Sequence, residues 1–492
     1  MDQDLAWWTS VVFDGWRDRP GPHYQRLAAA LLDAVSRRVL TPGARMPSER
    51  VLAAAVGVSR GTVVACFEQL AVAGVVRRRI GAGTFVVGRP SWASARPTAT
   101  SGVAGLLLRR MAGDGSVIDL SVSGPSDLRH LPAVDAAAAW AGLDGAGLDP
   151  RGLPLLRAAV ARHLSVHQQL PTVPEQIVVT GGAQEALWLL GRVLRPRQVL
   201  ASCPTYPGLA GAFGSGRVVC VAGDVAGTSA GAVARAQPGD VAFVMPTGHN
   251  PAGLVMSGVR RQAFAAVADA GRVTIVEDLT LADLLLAGGA LSGDVLSGDV
   301  LAGGVLAGGV PPMPLAALSP AVLAVGSVSK LLWGGLRVGW IRAGSPELLA
   351  ALLARKGALN LATSAVAQAL SAQLLAAVSA QWLAAHRAAL VRRRDHLTGL
   401  LAAELPAWEV AVPAAGLSLW VRLPVEDAAS FAHVAARHGV TVASGGAACV
   451  CGEHRGYIRL SFAEQLGTLS LAVERLAVAW EVHTENLAAG LA

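Results

Sequence analysis

Apolar positions along this chain change spacing several times, and each change marks a different kind of element. In residues 24–39, Leu27, Leu31, Leu32 and Val35 recur at helical spacing, which predicts an amphipathic helix with one buried stripe. Pro42-Gly43 interrupts that pattern. Ser48 then stands as an N-cap, and Glu49 suits the positive end of a helix running to about Val56. Gly57-Val58 makes a turn and Ser59 caps the next helix, in which Val63, Phe67, Leu70 and Ala71 face inward. Arg60 and Thr62 are left exposed at its N-terminal end, the geometry of a helix that enters a DNA major groove. After Gly74, residues 75–80 and 84–87 are two short strands joined by Gly81-Ala82-Gly83, a hairpin whose glycine tip approaches a duplex backbone closely.

Periodicity then stops. Residues 88–116 are rich in Pro, Ser, Ala, Thr and Gly, which predicts a flexible tether with a short helix near residues 106–111. From Val117 onward, residues 177–180, 241–245, 273–277 and 322–326 are apolar runs of buried-strand length, alternating with alanine-rich helical stretches. That alternation predicts a parallel sheet covered on both faces. Residues 287–311 form a Gly-rich insertion, in which Leu-Ser-Gly-Asp-Val occurs twice and Leu-Ala-Gly-Gly-Val twice, the pattern of a mobile surface segment. The longest uncharged run, residues 357–385, contains Asn360, Gln368, Gln373 and Gln381, so a buried helix is expected there and no membrane span.

Composition adds three constraints. At 492 residues and 53% hydrophobic content, two or three well-buried domains are expected. The net charge of +7 is local: residues 19–90 carry eleven arginines against Asp33, Glu49 and Glu68, whereas residues 1–18 hold four aspartates and Arg17. A phosphate-rich partner is therefore expected for the N-terminal module alone; Arg77, Arg78 and Arg79 by themselves are no more than a solvated face. Asp2 and Asp4 in the first segment argue against a signal peptide. The five cysteines are odd in number and scattered, and Cys449-x-Cys451 has no second ligand pair in the sequence, so reduced thiols, a cytoplasmic location and no metal are expected.

The third constraint is chemical. Only two lysines, Lys330 and Lys356, stand among 41 basic residues. A lysine that survives such bias is a candidate for chemistry that arginine cannot do, since a desolvated amine forms a Schiff base with an aldehyde. Lys330 follows Ser327 and Ser329 and precedes Arg337, company that suits a phosphate beside an imine; Lys356 lacks it and reads as a solvated helix end. Gly181-Gly182-Ala183-Gln184 follows a strand and precedes a helix, so its amides suit a phosphate. Tyr206 is one of three tyrosines, able to stack on a planar ring or to fill core. Asn250 sits in a tight loop, and Asp278 ends a strand where a buried carboxylate needs a cationic partner. Arg459 lies on a strand, well formed for bidentate carboxylate binding.

The N-terminal motifs, Pro47-Ser48-Glu49-Arg50, Gly57-Val58-Ser59-Arg60-Gly61-Thr62-Val63 and Gly81-Ala82-Gly83-Thr84-Phe85, resemble the GntR-type winged helix-turn-helix. The resemblance implies double-stranded DNA of a promoter or operator as partner, with Arg45, Ser48, Arg50, Ser59, Arg60, Thr62, Gly81 and Gly83 at the contact. The ordered set in the body resembles the class I aminotransferases of fold type I, which bind pyridoxal 5′-phosphate. That resemblance implies that Lys330 forms the Schiff base, Asp278 pairs with the pyridine nitrogen, and Asn250 bonds the ring hydroxyl beside Thr280. Tyr206 would stack on the ring. Ser327, Ser329, Arg337 and the amides of Ala183 and Gln184 would hold the phosphate, and Arg459 would take a carboxylate. A small C-terminal α+β subdomain and a homodimer are implied as well.

A GntR-type head (residues 19–88), a linker (89–116) and an α/β aminotransferase-like body (117–492) together resemble MocR-family (GabR-like) transcriptional regulators. The arrangement implies a regulator that senses pyridoxal phosphate or an amine or amino-acid effector; a working aminotransferase with an accessory DNA-binding head is the alternative. Two positions depart from the enzymes. Thr280 stands where many relatives carry tyrosine, and no tyrosine occurs in residues 141–148, ahead of Asp149-Pro150-Arg151-Gly152-Leu153. Cofactor retained with catalysis relaxed is what a sensor shows.

Overall fold

The computed structural model describes residues 5–87, 117–286 and 312–488, apart from 20, 37–38, 41–42, 73–74, 80–82, 126–127, 142, 144 and 225–226. The expected tether and the repeat insertion lie outside the described residues, as does Gly81. The chain divides into two compact units, Met1–Ala99 and Thr100–Ala492.

In the first unit the helix His23–Ser36 buries Leu27, Ala28, Leu31 and Ala34, whereas Leu32 is 43% exposed because it falls off that stripe. Ser48 caps Glu49–Val56 by accepting the Val51 N–H at 3.4 Å, and Gly57, at φ +70°, ends it. Ser59 accepts the Thr62 N–H at 3.1 Å and opens Arg60–Val72. The buried stripe of that helix is Val63, Cys66, Phe67 and Leu70; Ala71, expected inside, is exposed because Cys66 holds the position one turn before Leu70. Val76–Arg79 pairs antiparallel with Gly83–Val86. Trp8, Val12, Phe13 and Trp16 are buried in this same core, so the folded unit includes residues ahead of the expected boundary at residue 19.

The second unit is built on a seven-stranded sheet in the order Ile177–Thr180, Gly339–Arg342, Leu323–Ser327, Thr274–Asp278, Val241–Val244, Val199–Ala201, Val218–Cys220. It is mixed, not wholly parallel as expected: Gly339–Arg342 runs antiparallel to both neighbours. A strand that begins with glycine and ends with arginine carries no apolar run to announce it. This return strand has a functional consequence, because Ser327 pairs with Gly339 and the connection between them carries both Lys330 and Arg337. A four-stranded antiparallel sheet, Glu409–Ala411, Ser418–Arg422, Tyr457–Ser461 and Ala443–Ser444, forms the smaller α+β part with the helices Ala380–Glu404, Ala428–Arg437 and Leu466–Ala488.

The uncharged run of residues 357–385 is not one helix. It spans the end of Pro346–Asn360, all of Ala365–Ala377 and the start of Ala380–Glu404, with a 93° bend between the last two. Among the described residues no single helix is long and apolar enough to cross a membrane. Lys356 is a second correction: it is fully buried, at 0% exposure, and its Nζ has no hydrogen-bond partner. The charges of Glu185 and Asp149 act on it from nearby, which sequence neighbours do not reveal.

Gly152, in the Asp149–Leu153 turn, has φ +101°, and a Cβ there would collide with Val179 and lie 2.9 Å from Gln368 Oε1. Gly271 has φ +69° but open space around it. Gly271→Ala is therefore expected to cost about 1 kcal/mol from the left-handed backbone alone, and Gly152→Ala about 2–4 kcal/mol because overpacking adds to it. Thermal unfolding of the two variants checks this, and equal losses would show that the Val179 contact does not matter.

Candidate functional site

The body site collects at the C-terminal ends of the central strands, where an α/β sheet offers its crevice. Thr274–Asp278 ends in two adjacent carboxylates, and the period-two alternation of a strand sends them to opposite faces. Glu277 is fully buried and satisfied by the N–H groups of Leu315 and Ala316, 2.9 Å from its two oxygens. Asp278 accepts the Thr280 N–H at 2.8 Å, and burial pushes its pKa above the usual carboxylate range, against the pull of Thr280 and Lys330.

Lys330 follows the neighbouring strand. Ser327 Oγ lies 2.9 Å from both Val338 O and Ser329 Oγ and accepts the Ser329 N–H at 3.1 Å, which folds the turn that presents the amine. The amine donates to Ser123 O. Burial first, then the charges of Arg459 and Arg337, lower its pKa from 10.5 to about 8, with Asp278 opposing. A lysine in that state is a nucleophile near neutral pH.

Two cationic groups flank it. Arg337 is held at φ +52° and donates to Gly181 O at 2.9 Å, with its guanidinium against Gly182. Gly182, at φ +117°, is the N-cap of Ala183–Leu194 and no side chain caps that helix. The first amides of Ala183 and Gln184 therefore open a twelve-residue helix beside a guanidinium, an arrangement able to accept an anion. Arg459, on Tyr457–Ser461, donates to Asn250 Oδ1 at 3.0 Å and to Ser121 O at 2.6 Å, while its buried Nε has no partner. Burial lowers its pKa to about 10, with Tyr206 and Asp119 opposing. Tyr206 is raised to about 12 by burial and by the charge of Asp278. Gln184 Nε2 donates to Gly208 O at 2.9 Å, and Gly208 leaves no room for a Cβ between Gln184 and the Tyr206 ring, so the tyrosine loop is packed onto the start of the phosphate-type helix.

The body residues named from the sequence as cofactor or carboxylate candidates are thus in this one region, Thr280 through its backbone bond to Asp278. The sequence reading missed the segment after Ile118–Asp119. Asp119 Oδ1 fixes Ser121 through the latter's N–H (2.9 Å) and Oγ (2.6 Å), which aims the carbonyls of Ser121 and Ser123 at Arg459 and Lys330. Its contribution is made by backbone oxygens, which leave no side-chain signature.

In the first unit Arg45, Ser48, Arg50, Arg60 and Gly83 line one open cleft of about 570 Å³. Arg45, Arg50 and Ser59 are exposed, and the Ser59 and Thr62 hydroxyls are 2.9 Å apart. Gly83 takes φ +107° with Arg45 Nε 3.4 Å from where a Cβ would lie. Glu49 ties Arg60 (3.3 Å) and Arg78 (2.9 Å) together, so two of the basic groups are held in place by one acid.

Residues 116–476 match the aminotransferase class I and II family, and residues 23–86 match the bacterial regulatory proteins of the gntR family. The HTH-type pyridoxine biosynthesis transcriptional regulator PdxR of Corynebacterium glutamicum is 33% identical over 260 residues, which cover 50% of this chain and 53% of that regulator's length. An uncharacterized HTH-type transcriptional regulator of Bacillus subtilis, YisV, is 27% identical over 492 residues, 93% of this chain and 95% of the other. The crystal structure of an archaeal alanine:glyoxylate aminotransferase superposes with a TM-score of 0.64 at 26% identity, over 76% of this chain and 92% of that one. The chain belongs to the aminotransferase class I and II family and carries a gntR-family helix-turn-helix head, the fused arrangement of MocR-like regulators.

Proposed function

We propose that this protein is a DNA-binding transcriptional regulator whose body binds pyridoxal 5′-phosphate through Lys330 and senses that cofactor or an amine or amino acid that reacts with it. The observation that carries the reading is a half-buried, desolvated amine lowered to about 8, set among Asp278, Arg337 and Arg459, in a chain whose head is basic. The residues fit the cofactor on three counts. Asp278 is a desolvated carboxylate that a pyridinium N–H would satisfy. The helix at Ala183 has uncapped amides beside Arg337, which with Ser327 and Ser329 would hold a phosphate. Arg459 has a buried donor without a partner, suited to a carboxylate.

When bound, the cofactor supplies an aldehyde for the amine and a pyridinium ring that withdraws electrons. The protein's own contribution is to keep Lys330 largely free of its proton at a mildly alkaline pH, to orient the ring between Tyr206 and Asn250, and to hold Asp278 ionised once a cation faces it. Thr280 cannot present the phenol that many relatives place there, and no tyrosine occurs in residues 141–148. The first change weakens tuning of the bound imine and the second weakens the grip on the phosphate, while neither keeps Lys330 from the aldehyde, which suits a sensor better than a rapid catalyst. In a homodimer two heads would read two half-sites, and an effector shifts DNA binding only by its differential affinity for the two states of the protein. The complete set Lys330, Asp278 and Arg459 supports the second reading, a transaminase with an accessory head; sustained turnover with an amino acid and a keto acid would favour it.

Three outcomes are expected. Purified protein supplied with pyridoxal phosphate shows the absorption band of a protonated imine, and borohydride fixes a pyridoxyl group on Lys330; Lys330→Ala shows neither, and a borohydride-fixable imine in that variant would overturn the assignment. Capture of the aldehyde by cofactor-free protein speeds up with rising pH, because the unprotonated amine attacks, with a midpoint near 8 rather than 10.5. Arg459→Leu removes a cation that depresses this amine and moves the midpoint upward. On duplexes from the gene's own promoter, binding is sequence-selective and weakens with salt, and Arg50→Ala or Arg60→Ala costs about 1–3 kcal/mol. Binding without selectivity would sink the regulator.

A further inference from the structure

The five cysteines carry no spacing signature, yet Cys203, Cys449 and Cys451 meet in the fold, with Cys220 close beside Cys451 and Cys203. Cys203 precedes the Tyr206 loop, and Cys449, Cys451 and His454 lie in the loop ahead of Tyr457–Ser461. One donor atom from each of these four residues lies within 4.8 Å of all the others. Cys203 Sγ is 3.2 Å from Cys449 Sγ and 3.6 Å from His454 Nδ1; Cys449 Sγ is 3.7 Å from His454 Nδ1 and 3.9 Å from Cys451 Sγ. The geometry points to a structural zinc site of the Cys₃His type, formed by Cys203, Cys449, Cys451 and His454.

The distances favour a coordination shell over a chance cluster. With zinc–sulfur bonds of about 2.3 Å and a zinc–nitrogen bond of about 2.0–2.1 Å, a tetrahedron has sulfur–sulfur edges of about 3.8 Å and sulfur–nitrogen edges of about 3.6 Å. Of the four measured edges, three lie within about 0.1 Å of those lengths and the Cys203–Cys449 edge needs to open by about half an ångström, while the remaining two edges of the tetrahedron lie within 4.8 Å. Thiolate and imidazole donors in this geometry select zinc over harder divalent ions.

The surroundings are those of metal-bound thiolates. Cys449 Sγ accepts the backbone N–H groups of Gly452 (3.1 Å) and His454 (3.3 Å), and Cys203 Sγ accepts that of Val450 (3.3 Å). Such bonds orient sulfur ligands and spread their negative charge. The His454 ring is positioned by Trp420 and Tyr457, with centroids 6.1 and 5.3 Å away. On binding, three thiols each release a proton to solvent and the neutral imidazole donates through Nδ1, so four protein ligands close the shell and leave no position for a substrate.

The site would act as a clip. It joins the loop that carries Tyr206 to the loop that leads into the strand of Arg459, beside a backbone bond from Thr205 N–H to Ala448 O at 2.8 Å. Two groups of the candidate cofactor site are thereby fixed across the boundary between the large sheet and the small one. The inference stands apart from the pyridoxal phosphate reading, since zinc is measured whether or not the protein is coloured.

The test is elemental analysis of the full-length protein expressed with zinc and purified under reducing conditions without chelator. One zinc per chain is expected, retained in Cys66→Ser and lost in Cys449→Ser and in His454→Ala. Should those two variants fail to fold, cobalt(II) reconstitution of the unaltered chain decides: intense thiolate-to-cobalt charge-transfer bands with tetrahedral d–d bands support the site, and a weak octahedral spectrum overturns it. Full-length protein that carries no zinc after this preparation would also overturn it.

Discussion

The second unit depends on holding one amine and two guanidinium groups close together, with Arg459 buried, Lys330 half-buried and Arg337 at the exposed edge. Lys330, Arg337 and Arg459 repel one another, and only Asp278 answers them directly at the amine. Removing such groups from water costs several kcal/mol each unless hydrogen bonds compensate. Here the compensation is made mostly by backbone carbonyls: Ser123 for Lys330, Gly181 for Arg337 and Ser121 for Arg459. Neutral carbonyls stabilise the cations without cancelling their charge, so the crevice stays positive and suited to an anion with two acidic ends.

That solution constrains the backbone around it. Gly182 and Gly339 approach so closely that a Cβ on Gly339 would lie 2.6 Å from Gly182 carbonyl carbon. The approach joins the return strand to the start of the phosphate-type helix, and it is what lets Arg337 reach back to Gly181. Period-two alternation does the corresponding work on the neighbouring strand. It turns Glu277 toward the amides of Leu315 and Ala316 and leaves Asp278 for the crevice, so two adjacent acids end in different electrostatic states.

The two units divide the physical work. The first concentrates exposed arginines on short capped helices and a hairpin, with Glu49 tying Arg60 and Arg78, which is chemistry for a polyanion. The second buries a few of its charges, among them Arg261, Glu277, Arg394 and Arg459, and is close to charge balance as a whole, with residues 91–492 netting only a small positive charge. A chain that separates its charges in this way can respond to a small ligand in one unit and a duplex in the other without the two competing for one surface.

Sequence by itself determined the local elements and the chemical cast. Ser48, Gly57 and Ser59 fix helix ends through bonds that span only a few residues, and apolar runs announce most central strands because those are buried on both faces. The scarcity of lysine singled out Lys330. Tertiary structure decided whatever depends on partners distant in the chain. It hid Lys356, set Gly339–Arg342 antiparallel, assigned the carbonyls of Ser121 and Ser123 to cations more than 200 residues away, and carried Cys203 to Cys449, Cys451 and His454. Such contacts are set by which loops the sheet edges bring together. No spacing of neighbouring side chains encodes that, so it becomes visible only once the sheet is assembled.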